Sequence, residues 1–283
     1  MSQYSPMGFR LMPPAVKNIL IINVLFYLGT LIVKAKFGFD LTDYLGLHYP
    51  ESTLFKPYQL ITHMFMHATY DSQGNIIFIH ILSNMFALWM FGAAIENFWG
   101  TKRFVLFYLV TGLGAAGLHL LVSWYRFGDM QTGIIAYQNA PSPEAFSKLV
   151  IDFFPEFKTS VADFVYQWSQ HPGDTQFLTE TNGFIQNQME MRLNIPTVGA
   201  SGAVFGILLA FGMLFPNTMI YLYFFFPLKA KYFVMLYGAF ELYSGVANQA
   251  GDNVAHFAHL GGMLFGFILI KYWQNNKFKN KFQ

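Results

Sequence analysis

The chain has no cysteine and little charge. Zero cysteines in 283 residues exclude disulfides, thiolate nucleophiles and Cys-ligated zinc or iron-sulfur centres. Charged residues make up 11% of the sequence, well under the roughly 25% of a soluble domain. The formal net charge of +2 is too small to favour a nucleic-acid partner. Apolar surface dominates instead: hydrophobic residues are 54% and aromatic residues 19% of the total, with a mean hydropathy of +0.36. That composition excludes a disordered, collagenous or coiled-coil chain and leaves an integral membrane protein.

Apolar runs near the length that crosses hydrocarbon, about 20 residues, occur at residues 16–33, 76–99, 103–125, 200–215, 232–246 and 254–273. The first lacks a small-residue cleavage site and reads as an anchor rather than a signal peptide. Six spans put both termini on one side. Arg10, Lys17, Lys102, Arg103, Lys229, Lys231, Lys271, Lys277, Lys279 and Lys281 gather at that side, against Lys34, Lys36 and Lys56 in the first loop of the other. The positive-inside bias therefore predicts cytoplasmic termini and a multi-pass protein of the plasma (inner) membrane. The expected fold is an all-α six-helix membrane bundle forming one domain over residues 1–283.

Residues 126–197 are the departure from a compact bundle. Eight acidic and four basic residues give this outer loop a net charge of −4. Phe146, Leu149, Val150, Phe153 and Phe154, then Phe157, Val161, Phe164, Val165 and Trp168, repeat at helical spacing. Two short amphipathic helices are predicted, lying along the interface or capping the bundle.

A polar side chain inside a span is costly and needs a partner or a task. His80 and Asn84 sit one turn apart on one face of the second span. Gly199-Ala200-Ser201-Gly202 opens the fourth, and the sixth contains His256, His259, Gly261 and Gly262. All three clusters lie at the outer starts of even-numbered helices. His80 and His259 fall about five residues in, roughly 7 Å at the helical rise. The fourth run, bounded by Pro196 and Pro216, covers only about 24 Å of a roughly 30 Å core, which would recess Ser201 to the same depth.

Gly202 and Gly206 make one GxxxG and Gly262 and Gly266 another, a spacing that lets helices approach closely. If these stripes pack, Ser201 and His259 come within hydrogen-bond reach, the requirement for a base-activated serine. His259 would act as general base and then general acid. His80 and Asn84, with the Ser201 N–H, would stabilise an oxyanion. No carboxylate is evidently placed to orient His259, so a dyad is expected. Glu96 and Glu241 lie in spans outside it; Glu96 reads as a structural hydrogen-bond partner, and the partner of Glu241 is not legible. Asp252 falls in a loop and reads as solvated.

These residues carry a resemblance. Pro57-Tyr58-Gln59, Thr62-His63 and Phe65-Met66-His67, followed by His80, Asn84, Gly92, Glu96 and Gly100, then Gly199-Ala200-Ser201-Gly202 and Ala258-His259-Leu260-Gly261-Gly262, resemble the rhomboid family of intramembrane serine proteases. Tyr58 stands where many members have Trp, and the 126–197 insertion is longer than the family core needs. The resemblance implies a six-helix rhomboid-like bundle with no cofactor and no bound metal. It implies cleavage of membrane-anchored proteins within or beside their transmembrane helices, after a small residue, where the substrate helix unwinds. Ser201 would be the nucleophile and His259, rather than His256, the base. Two rival expectations are a catalytically idle rhomboid-like protein that binds membrane helices, and a metal-binding membrane transporter using His63, His67, His80, His256 and His259.

Overall fold

The computed structural model describes residues 10–71, 73–222, 225–247 and 255–279; Asp252 and the start of the sixth apolar run at Val254 lie outside them. The chain is mostly helical. The main helices are α1 (Pro14–Phe37), α2 (Ile79–Trp99), α3 (Thr101–Asn139), α4 (Pro143–Phe153), α5 (Ala162–Gln170), α6 (Gln176–Leu193), α7 (Ser201–Leu214), α8 (Ala230–Ala247) and α9 (His256–Lys279). An antiparallel hairpin of β1 (Met219–Leu222) and β2 (Phe226–Lys229) joins α7 to α8. By length and composition α1, α2 and α3 can each cross a membrane, while α7 is a shorter apolar helix.

The pattern of exposure fits a lipid environment. In α1 the residues Val16, Ile19, Asn23, Tyr27 and Thr30 are buried, one face at three- and four-residue spacing. Ile21, Leu25, Leu28 and Ile32 on the remaining surface are exposed, an apolar face that lipid rather than water would cover. Pro14 starts α1 and Gly38, at φ 77°, ends it in the left-handed conformation that glycine tolerates best. The orphan amides of its first turn are met by a buried carboxylate: Glu96 accepts from Ala15 N at 2.9 Å and Val16 N at 2.8 Å, and from Thr101 Oγ1 at 2.7 Å. Glu96 thus ties α1 to the α2–α3 corner.

The centre of the bundle is α7, where Gly202 through Leu208 and Ala210 through Gly212 are buried. Small residues make this density attainable. A Cβ on Gly262 would lie 1.8 Å from Gly202 O, one on Gly206 2.7 Å from Thr111, and one on Gly266 3.4 Å from Gly206 Cα. The two GxxxG stripes therefore face each other, with α3 closing the third side.

Two expectations about the outer loop change. The third apolar run ends near Tyr125, but α3 continues to Asn139, 39 residues in all or about 58 Å, because no proline or glycine pair interrupts it before Pro141. Three helices follow rather than two: α4 and α5 fall on the amphipathic runs, and α6 is additional. Together with the end of α3 they enclose a second apolar core of Met130, Ile134, Tyr137, Phe146, Leu149, Val150, Phe154, Trp168 and Ile185. Phe184 of α6 receives the ring edges of Phe146, Phe154 and Phe157. The aromatic stripe thus packs on its own unit.

Candidate active site

Ser201 is the first residue of α7, and the helix begins without a side-chain cap. Its first amides are orphan donors at the positive end of the helix dipole. Gly199, at φ 133°, turns the chain into this helix, and its N–H is held by His63 O at 3.0 Å. Leu47 and Thr197 exchange backbone hydrogen bonds of 2.9 and 2.8 Å, and Ser52 Oγ donates to Asn194 Oδ1 at 2.7 Å. The segment that carries the serine is therefore fastened to the 38–78 loop. Within that loop Gln59 bridges the backbone, donating to Tyr44 O and Leu54 O and accepting from Lys56 N.

His259 stands in the first turn of α9, with Nε2 2.9 Å from Ser201 Oγ. The close approach of the glycine stripes brings this about. Phe205, one turn along α7 from Ser201, stacks flat on the imidazole, with centroids 4.1 Å apart and planes at 5°. The other ring nitrogen is also held: Nδ1 lies 2.8 Å from Glu241 Oε2. A carboxylate oxygen only accepts, so Nδ1 carries the proton and Nε2 is left with its lone pair toward Ser201 Oγ–H. In this tautomer an imidazole can take a hydroxyl proton.

Glu241 corrects the expectation of an unoriented histidine. It lies on α8, 3% exposed, and the same Oε2 is 2.6 Å from His256 Nδ1. One buried carboxylate thus receives two imidazoles. An ionisable residue inside an apolar run marks Glu241 in the sequence, but its partners sit on another helix, and no spacing within α8 encodes them. The stacking of Phe205 on His259 likewise joins two helices, and no spacing within α7 encodes it.

His80 and Asn84 lie on α2, across Ser201 from α9. Ala68 N donates to His80 Nδ1 at 3.2 Å, so Nε2 bears the hydrogen. That atom lies near the chain before Ser201: a Cβ built on Gly199 would be 3.2 Å from His80 Nε2 and 3.5 Å from Ser201 Oγ. Asn84 Nδ2 donates back to His80 O at 2.8 Å, which leaves its second N–H for another acceptor. A cavity of about 20 Å³ bordered by Ser201, Gly199, Thr197, His119 and Ala258 adjoins the serine, room for about one water. Thr197 Oγ1 and His119 Nε2, 2.9 Å apart, line it with polar atoms.

His63 and His67 make local hydrogen bonds. His63 Nδ1 donates to Gln59 O at 2.8 Å, and His67 Nε2 donates to Asn23 Oδ1 at 2.8 Å, since Asn23 Nδ2 is committed to Ile19 O. Among the described residues, the group with metal-ligating types in mutual reach is Glu241, His256 and His259, whose ligand atoms lie within 4.8 Å of one another; His63 and His67 are not part of it.

Comparison with known proteins bears on the family. The family model for the Rhomboid domain matches residues 55–133 and 176–275, which include Ser201, His259, His80, Asn84 and Glu241 and leave out α4 and α5 entirely. RHOMBOID-like protein 12, mitochondrial, of Arabidopsis thaliana is 28% identical over 185 residues, 65% of this chain. The chain spans about two fifths of that relative's length, 39%. With the family model covering well over half of its residues, the chain belongs to the rhomboid family of membrane proteins.

Proposed function

We propose that the protein is an intramembrane serine endopeptidase in which Ser201 and His259 cut the backbone of transmembrane or membrane-anchored proteins. The 2.9 Å contact between His259 Nε2 and Ser201 Oγ, at the uncapped start of a buried helix, carries this reading. Ser201 Oγ attacks the scissile carbonyl carbon, forming the C–O bond while the carbonyl π pair moves to oxygen. The Oγ proton passes to His259 Nε2. The oxyanion meets the Ser201 N–H, His80 Nε2–H and Asn84 Nδ2–H. Collapse breaks the C–N bond, and the leaving amine takes the proton from Nε2; water then releases the acyl group by the same cycle.

Several finer features belong to this proposal. The helices α1, α2, α3, α7, α8 and α9 are its six spans. At 14 residues, or about 21 Å, α7 is shorter than a roughly 30 Å core, which recesses the serine below the surface. Residues 126–197 form an extracytoplasmic insertion in a single membrane domain of residues 1–283, and the lysine and arginine distribution supports cytoplasmic termini, here assigned to a plasma (inner) membrane. The named relative is mitochondrial, and fractionation with protease protection of tagged termini decides between the two membranes.

Comparing the membrane proteomes of cells carrying wild type and Ser201→Ala tests the function. New termini within or beside transmembrane helices, seen in wild type and lost in the variant, are expected; identical proteomes would contradict it. An idle binder of membrane helices would also give identical proteomes. A metal-dependent transporter would instead lose function to chelators, to which the serine mechanism is indifferent.

A further inference from the structure

Serine and histidine alone meet the minimum for base-activated attack, but His259 is held from both sides. Its Nδ1 lies 2.8 Å from Glu241 Oε2 while Nε2 lies 2.9 Å from Ser201 Oγ. His256 Nδ1 reaches the same oxygen at 2.6 Å, a second contact that holds the carboxylate in place. Tyr237, four residues before Glu241 on α8, packs on Phe205 at 4.9 Å between centroids, and Phe205 in turn stacks on His259. The imidazole thus has its plane set by Phe205 and its rotation about the ring axis set by Glu241.

We propose that Glu241 is a positioning residue for the reaction suggested above: it locks His259 as the Nδ1–H tautomer, and its charge stabilises the imidazolium that forms when Nε2 takes the serine proton. The active group would then be a Ser201–His259–Glu241 relay braced by His256, with Glu241 remaining ionised throughout. A neutral imidazole has two tautomers, and only the one protonated at Nδ1 can accept from Ser201 Oγ. The carboxylate supplies that choice. A bare dyad leaves it open, and a carboxylate buried within a lipid-spanning helix is costly unless partnered. Two imidazole donors on one oxygen are such partners, and one of them faces the serine.

This inference rests on the proteolytic reading and is tested separately from it. Glu241→Gln keeps the shape of the side chain and removes its charge but can still present an amide oxygen to Nδ1, whereas Glu241→Leu removes charge and acceptor together. In purified full-length protein Glu241→Gln should retain its thermal midpoint and KM while kcat falls about 10²- to 10⁴-fold, because the charge that stabilises the imidazolium in the transition state is gone. Histidine-selective ¹⁵N labelling reads the tautomer directly. Wild type should show His259, assigned by its loss in His259→Gln, protonated at Nδ1, and Glu241→Leu, which has no acceptor, should lose that preference.

Wild-type kcat in Glu241→Gln would overturn the inference while leaving Ser201 and His259 in place. An Nε2–H tautomer in wild type would overturn it even if the variant fails to fold. Loss of wild-type activity in a chelator would also overturn it, because Glu241, His256 and His259 would then be metal ligands. Turnover that survives Ser201→Ala would instead sink the proteolytic reading, and the tautomer measurement would still decide the Glu241–His259 contact.

Discussion

Glu241 Oε2 and His259 Nδ1 lie 2.8 Å apart, on helices whose connection falls partly outside the described residues. This contact determines which nitrogen of His259 faces Ser201. Under the proposed mechanism it also divides the residues around the serine into those that would hold the base (Glu241, His256, Phe205) and those that would face the substrate (His80, Asn84 and the first amides of α7).

The substrate-side donors should show in kcat. His80→Ala and Asn84→Ala are each expected to lower kcat by about 10²- to 10³-fold if they supply an oxyanion contact. The His80 effect should be the larger, because Asn84 already spends one N–H on His80 O. Steady-state cleavage of a fluorogenic transmembrane reporter checks this; equal, small effects would return both residues to helix packing.

Glycine contacts should separate sharply by position. Gly262→Ala would put a Cβ 1.8 Å from Gly202 O, forcing α9 away from α7 at a cost of about 1–3 kcal/mol and moving His259 from Ser201, where a 1 Å displacement is worth about 10² in rate. In Gly183→Ala the added methyl meets nothing within 4 Å, and α6 should gain about 0.5–1 kcal/mol. Thermal unfolding in detergent, paired with reporter cleavage, measures both.

Glu96 should matter for stability and little for chemistry. Glu96→Ala strands the buried N–H groups of Ala15 and Val16, each costing about 1–3 kcal/mol, whereas Glu96→Gln keeps one acceptor and should lose less. A lowered unfolding midpoint with unchanged KM is expected. A fall in kcat at full stability would contradict the capping role.

Much of this architecture is legible in the sequence because lipid imposes a simple rule: long apolar runs become helices, and the few polar residues within them stand out. The facing of Gly202 and Gly206 against Gly262 and Gly266, which sets the Ser201–His259 distance, follows from small-residue spacing. What stays hidden depends on contacts between helices or on weak periodicity. Glu241 has no signal naming His256 and His259. Helix α6, reading Gln-Phe-Leu-Thr-Glu-Thr-Asn-Gly-Phe, has no sustained apolar stripe, and it forms because Phe184 and Ile185 complete the second core. The β1–β2 hairpin arises in an aromatic-rich stretch that hydropathy cannot distinguish from the edge of a span.

Acid should weaken the fold through His67. Burial, reinforced by the nearby His80, lowers this histidine from 6.5 to about 3, and its Nδ1 has no hydrogen-bond partner among the described residues. The unfolded chain then binds a proton that the folded one refuses, so this contribution is intact above about pH 6.5 and declines as pH falls toward 3. The slope approaches about 1.4 kcal/mol per pH unit. Unfolding midpoints between pH 7 and 4 should flatten in His67→Gln, and an unchanged slope would contradict the assignment.

The second core predicts a role for residues 126–197 that is separable from chemistry. Replacing Pro141 to Gln188 with a short linker should alter KM and substrate choice while the rate of acylation of Ser201 by a small probe is unchanged. Identical kinetics on every substrate would make the unit a passive insertion.

The most direct test of the central claim is covalent capture of the serine. A fluorophosphonate probe added to purified, folded protein should label Ser201, identified by peptide mass spectrometry, with labelling lost in Ser201→Ala and strongly slowed in His259→Ala. A folded wild-type protein that takes up no probe at Ser201 would contradict the account.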